Sequence, residues 1–260
     1  MKNQEFSLYE SMERALARWW MMVILMIMGG ITGWIFHLFY PPVYEAKAVI
    51  TINMDFAKRQ LTQYEEDTAF NAAGAIITSS DVKNLVIAEA QVNGYSIDLS
   101  RIQRDFYLEE KQSVWELRVR DRDPKVAAAL TNIWAEKATN ALDLALYHAL
   151  QAEQLQVQID GLENCLAGTS GQAASTQMDC KDYSQEELQA MLQDQTDKLV
   201  QEKKSSLGFI PIMAIGLTEL ASVPEKSAIY GQANLVLAGA CIGLVVSLWV
   251  INTLKVSHHG

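Results

Sequence analysis

The residues of this 260-residue chain that could do chemistry are four histidines, three cysteines, one acid run and a set of alternating arginines. His37 sits in a long uncharged apolar stretch, His148 in an Ala- and Leu-rich run, and His258 and His259 close to the C-terminal end. None stands at a telling spacing from a Ser, Cys or carboxylate, as an activated nucleophile would require. Glu65-Glu66-Asp67 offers carboxylates to a cation, or equally a solvated surface turn. Arg118, Arg120 and Arg122 alternate, so they would grip an anionic polymer or simply form the exposed face of a strand. The chain has no G-x-x-x-x-G-K-[ST] loop to cradle phosphates. We therefore expect no catalytic, cofactor-binding or metal-ligating residues, no cofactor, and a protein that is not an enzyme.

The cysteines read differently. Cys165 and Cys180 bracket Gly168, Ser170 and Gly171, a spacing that suits a staple across a turn. Closing a loop of that size adds roughly 3 kcal/mol in the chain-entropy model, and such bonds persist in oxidising compartments such as a periplasm. Two free thiols are the alternative. Metal binding is disfavoured because no His or further Cys lies nearby in sequence. Cys241 lies within an apolar run.

The elements that must position these residues begin with two uncharged runs. No charge occurs between Arg18 and Glu45, nor between Lys226 and Lys255. Each run is long enough to cross a hydrocarbon layer of ~30 Å, with cores at Trp19–Phe39 and Ala233–Ile251. A cleaved signal peptide does not fit the first, because bulky Trp34, Ile35, Phe36 and Leu38 fill the region before any cleavage site. Two spans put both termini on one side. Arg14, Arg18 and Lys255 on that side, against Lys47 and Lys226, favour cytoplasmic termini. The loop between carries 28 acidic and 17 basic residues, which argues against nucleic acid and against flat binding to anionic lipid. Gly29-x-x-x-Gly33 and Gly239-x-x-x-Gly243 supply small residues four apart, one pair per span, for close transmembrane helix packing within or between subunits.

Between the spans the pattern is mixed. Tyr44–Ile52 alternates as a strand, and Val114–Val119 does so more clearly. Phe56–Ser79 reads as a short helix and a loop, and Ser80 caps a helix closed by Asn93-Gly94. From Lys125 to Asp160 there is neither Gly nor Pro. Asp123 caps this run and Pro124 fits its first turn. A helix of about 40 residues is roughly 60 Å long, too long for one compact core to cover. Its Ala-rich face therefore needs partner helices, from this chain or from copies of it. Ser184 and Glu187 make a capping box that opens a return helix to about Ser205. Ile210–Leu220 reads as a last strand, and pairing it with the first, which also adjoins a span, is the natural arrangement.

The fold class expected is an α+β membrane protein. It has two terminal transmembrane helices, a membrane-proximal α+β base and a long extracytoplasmic helical hairpin. By residue number the expected parts are a cytoplasmic start at 1–18, spans at 19–40 and 231–252, and a base at 41–123. The hairpin takes 124–206, a return strand 207–230, and a cytoplasmic tail 253–260, too short for an output domain.

This layout resembles the Wzz-type chain-length determinants, the polysaccharide co-polymerases of bacterial surface polysaccharide synthesis. Three patches carry the likeness. The first is Tyr44-Glu45-Ala46-Lys47-Ala48-Val49-Ile50. The second runs from Val119 to Asn132, with Asp123, Pro124, Ala128 and Asn132 standing where the family opens its helix. The third is Ala221-Ser222-Val223-Pro224. Family members often carry several prolines before the second span, whereas here Pro224 stands alone. The resemblance implies a non-catalytic regulator of O-antigen, capsule or exopolysaccharide chain length in the bacterial inner membrane, its main domain periplasmic. It also implies a ring-like homo-oligomer that works with an integral-membrane polysaccharide polymerase and contacts the lipid bilayer and the growing polysaccharide. A scaffold or periplasmic coiled-coil adaptor of an envelope transport machine is the alternative.

Overall fold

The computed structural model describes residues 19–57, 60–167, 183–229 and 231–253. The chain divides into two compact units. One comprises Met1–Glu45, Arg120–Ala127 and Val223–Gly260; the other comprises Ala46–Val119 and Ala128–Ser222.

The first unit holds two apolar helices, α1 (Trp19–Phe39) at one end of the chain and α7 (Gln232–Thr253) at the other. Both are long and apolar enough to cross a membrane. Their backbone bonds are satisfied internally, so apolar side chains such as Ile27, Ile31, Leu237 and Val245 stand exposed around them. The chain leaving α1 meets the chain entering α7. Val43 N–H donates to the Ile229 carbonyl at 3.1 Å, and Ile229 N–H donates back to the Val43 carbonyl at 3.2 Å.

The second unit is built on a four-stranded sheet of β1 (Tyr44–Met54), β2 (Phe106–Lys111), β3 (Val114–Asp121) and β4 (Met213–Glu219), in the order β2-β3-β1-β4. The first and last strands do pair, antiparallel, with Ile52 opposite Ile215 and a bulge between Val49 and Ile50. β2 and β3 form an antiparallel hairpin in which Leu108 faces Leu117. Between β1 and β3, Ile52 N–H donates to the Ser113 carbonyl while Lys47 lies against Glu116, so that pair is antiparallel too. Alternation sends Ala46, Ala48, Ile50 and Ile52 of β1, with Trp115, Leu117 and Val119 of β3, into the core.

The segment 56–79 differs from expectation. Gln63–Ile77 is one 15-residue helix, α2, closed by a capping box. Glu65 N–H donates to Thr62 Oγ1, and Thr62 N–H donates back to Glu65 Oε2. The cap of α3 (Ser80–Val92) is Ser79 rather than Ser80, with Val82 N–H on its hydroxyl. A short helix not anticipated, α4 (Leu99–Asp105), is capped by Asp98. Gly74 of α2 admits the Trp115 indole so closely that a Cβ there would lie 2.8 Å from the ring.

α5 (Pro124–Leu166) runs for 43 residues, about 65 Å. Leu130, Trp134, Ala135, Ala138 and Leu142 are buried in its first half. Further along, Ala152, Leu155 and Ile159 pack against Leu192 and Leu199 of α6 (Gln185–Ser205), whose cap is the expected Ser184–Glu187 box. β4 starts later than expected, at Met213, because the chain first turns at Ile210–Ile212.

Candidate functional site

In the first unit the two helices meet backbone to backbone. A Cβ added at Gly29 would fall on the Gly239 carbonyl, one at Gly33 on the Leu235 carbonyl, and one at Gly243 on the Leu25 carbonyl. All four expected glycines therefore lie in one antiparallel contact within the chain. Small residues permit this approach, and in lipid such contacts carry helix association through packing. Ser247, wholly buried in the same helix pair, donates its hydroxyl to the Leu244 carbonyl at 2.6 Å. Gly30 lies beside this seam, with Val236 as its near neighbour.

The junction that opens α5 is a chain of short caps. Asp121 Oδ1 accepts from Asp123 N–H, and Asp123 Oδ1 accepts from Lys125 N–H, each at 2.8 Å. Pro124 takes the first helical position, where it has no N–H to waste. Arg120 Nε donates to Glu45 Oε2 at 2.7 Å. In the second unit Ala128 is buried, and Asn132 forms a two-way clamp on Ala221. Its Nδ2 donates to the Ala221 carbonyl at 3.1 Å, and its Oδ1 accepts from Ala221 N–H at 2.7 Å. Thus Asn132 and Ala221, which belong to two different sequence patches, meet in space. Pro224 is half-buried beyond the clamp in sequence.

The alternating arginines need correction. Rather than a free cationic face, Arg120 pairs with Glu45 and Arg118 belongs to an ion cluster organised by buried Glu116. Its Oε2 accepts from Lys111 Nζ at 3.0 Å and from the Arg118 guanidinium, while Lys47 lies 3.6 Å from Oε1. Arg118 reaches Glu109 as well, at 2.6 Å. The Arg118 hydrogen bond outweighs the effect of burial and holds the Glu116 carboxyl at about 2, against an ordinary 4.5. Arg122 is exposed. The acid run is likewise not a turn: Glu65 is used in the α2 cap, and Glu66 and Asp67 lie in that helix. Among the described residues no group of three or more His, Cys, Asp or Glu could hold a metal ion.

His148 does find a carboxylate, across 54 residues of sequence. Its Nδ1 lies 2.6 Å from Glu202 Oε2 and ties α5 to α6. Cys165 stands in the last turn of α5; Cys180 lies outside the described residues. Where α6 stops, a groove of about 720 Å³ opens between α3 and α5. Leu85, Val92, Leu144 and Leu207 stand exposed in it. Leu207 adopts a left-handed backbone (φ 52°), a conformation a branched side chain takes up at a cost of order 1–3 kcal/mol.

Sequence reasoning missed Glu116, which alternates along β3 with Arg118 and Arg120, and Trp134, which donates its indole N–H to the Ile77 carbonyl at 3.2 Å. Strand alternation alone gives no sign that one outward carboxylate is ringed by cations. Trp134 was within reach, standing four residues after Leu130 on the inner face.

No match was found among curated proteins. Among solved structures, a full-length bacterial polysaccharide co-polymerase is 12% identical and covers 98% of this chain and 100% of its own, with a TM-score of 0.38. A mutant of the Shigella flexneri lipopolysaccharide O-antigen chain-length regulator is 14% identical over 71% of this chain and 99% of its own, with a TM-score of 0.21. The periplasmic domain of a chimeric WzzB chain length regulator protein is 12% identical over 70% and 99%, with a TM-score of 0.19. Residues 4–90, which take in the first span and the Tyr44–Ile50 patch, match the family model of the chain length determinant protein, Wzz, and over that stretch the resemblance drawn from the sequence is borne out.

Proposed function

We propose that the protein is a non-catalytic regulator of surface polysaccharide chain length. In this reading it is anchored in the bacterial inner membrane by α1 and α7, with residues 41–230 in the periplasm and both termini in the cytoplasm. It assembles as a ring-like homo-oligomer and acts with an integral-membrane polysaccharide polymerase. The single observation that carries the reading is the match of residues 4–90 to the chain length determinant family.

Other features agree with it. Two helices long enough to span are zipped together through glycine. The groove where α6 ends leaves apolar Leu85, Val92 and Leu144 uncovered in this single chain. Neighbouring copies would cover them, and a strained, exposed Leu207 fits a contact that forms on assembly.

Deleting the gene tests the reading. Polymer synthesis should continue while its preferred length is lost, so that a ladder gel changes from a clustered to a scattered distribution. Loss of all polymer on deletion would point to an enzyme or an export component instead.

A further inference from the structure

A second cavity in the larger unit, of about 240 Å³, has no part in the features described above. It lies among α3, α4, β2 and α5. Its floor is apolar: Val86, Ile102 and Trp134 are buried there, with Leu108 and Phe106 beside them. The Phe106 and Trp134 rings meet at 5.3 Å, tilted by 52°.

The rim is polar, with Thr78, Lys83 and Gln103. Lys83 is half-buried, and among the described residues it makes no ion pair. By contrast, Lys137 of α5 is matched by Glu89 at 3.2 Å, and Lys111 by Glu116. An ammonium group beside an apolar floor offers an anion from outside a charged hydrogen-bond partner. Thr78 already donates its hydroxyl to the Gly74 carbonyl at 2.8 Å, so what remains to it is acceptance. Gln103 is exposed, and its amide can both donate and accept.

The rim therefore matches a compact ring that bears one carboxylate and several hydroxyls, and the floor matches a face of C–H groups. The volume falls below the ~300 Å³ at which drug-sized pockets begin, which suits one ring rather than a stretch of polymer. We propose that this pocket binds a single acidic sugar residue, a uronic acid, with Lys83 taking the carboxylate and Thr78 and Gln103 the ring hydroxyls. The choice of a sugar rests on the polysaccharide reading above; the cation, the apolar floor and the size come from the pocket itself.

The test compares D-glucuronate with D-glucose, which differ only in the carboxylate. Full-length protein in detergent is titrated with each, and binding is followed by saturation-transfer difference NMR. Glucuronate should saturate in the millimolar range and bind at least tenfold more tightly than glucose. Lys83→Glu should weaken glucuronate at least tenfold while helicity and Tm stay unchanged. Val86→Phe, which fills the floor, should abolish binding with Lys83 still in place. The proposal is overturned if glucuronate fails to saturate at tens of millimolar, if glucose binds as well, or if Lys83→Glu has no effect. Such a failure, beside a scattered length distribution on gene deletion, would remove the pocket and leave the regulator reading standing.

Discussion

Glu116→Gln isolates the charge at the centre of the sheet-face ion cluster while preserving its shape. The Glu116 side chain is only 10% exposed and faces Lys47, Lys111 and Arg118. A carboxyl held at about 2 against 4.5 is stabilised in its ionised form by roughly 3 kcal/mol, at about 1.36 kcal/mol per unit. Because the folded value is depressed, that stability is fully present above 4.5 and is lost as pH falls through about 2. At about pH 3 the linkage relation leaves roughly 1.4 kcal/mol, less than half. Full-length protein in detergent, unfolded by urea and followed by circular dichroism, should show Glu116→Gln less stable by roughly 2–3 kcal/mol at neutral pH. In a thermal melt this corresponds to a Tm lower by roughly 4–12 °C for a domain of this size. The gap should narrow steadily towards pH 3. A gap that stays constant between neutral and acid pH, or is absent at neutral pH, would refute the claim that the cations stabilise the ionised carboxylate.

Other substitutions probe the remaining contacts. Gly239→Leu and Gly243→Leu each drive a side chain into a facing carbonyl, and should broaden the polysaccharide length distribution at normal protein levels; an unchanged ladder would show that the seam does not matter. Asn132→Ala leaves the buried Ala221 N–H and C=O without their partner, and should cost roughly 1–3 kcal/mol in the same urea titration. Non-reducing mass spectrometry of protein purified without reductant should find Cys165 and Cys180 joined, and alkylation of both thiols would dismiss the staple.

Sequence patterning revealed the long elements better than the short ones. A span of 26 residues without a charge, or a run from Lys125 to Asp160 without Gly or Pro, has few competing readings. The α2 region misled because its apolar residues are mostly Ala, which gives weak periodicity. Yet Thr62-x-x-Glu65 is the same capping signal that located α6, and it was there to be read. The Asn132–Ala221 clamp was only half visible. Both residues fell in patches on which the sequence resemblance was drawn, but their meeting depends on α5 and the chain after β4 coming together across 89 residues. The Glu116 cluster was hidden for a related reason. Each of its cations looks ordinary alone, and only the sheet order β2-β3-β1 puts Lys111, Arg118 and Lys47 on one carboxylate.

The Val43–Ile229 bridge has an evolutionary corollary. Everything between those two residues enters and leaves at a single pair of hydrogen-bonded peptides, so it behaves as an insertion whose ends already touch. Insertions of that geometry can be lengthened, shortened or exchanged without changing the spacing of the flanking helices. The paired apolar helices and the segment between them are then free to diversify at different rates, the helices being constrained by glycine against carbonyl. A graft that swaps residues 44–228 as a block should therefore fold more readily than one cut within a strand or within α5.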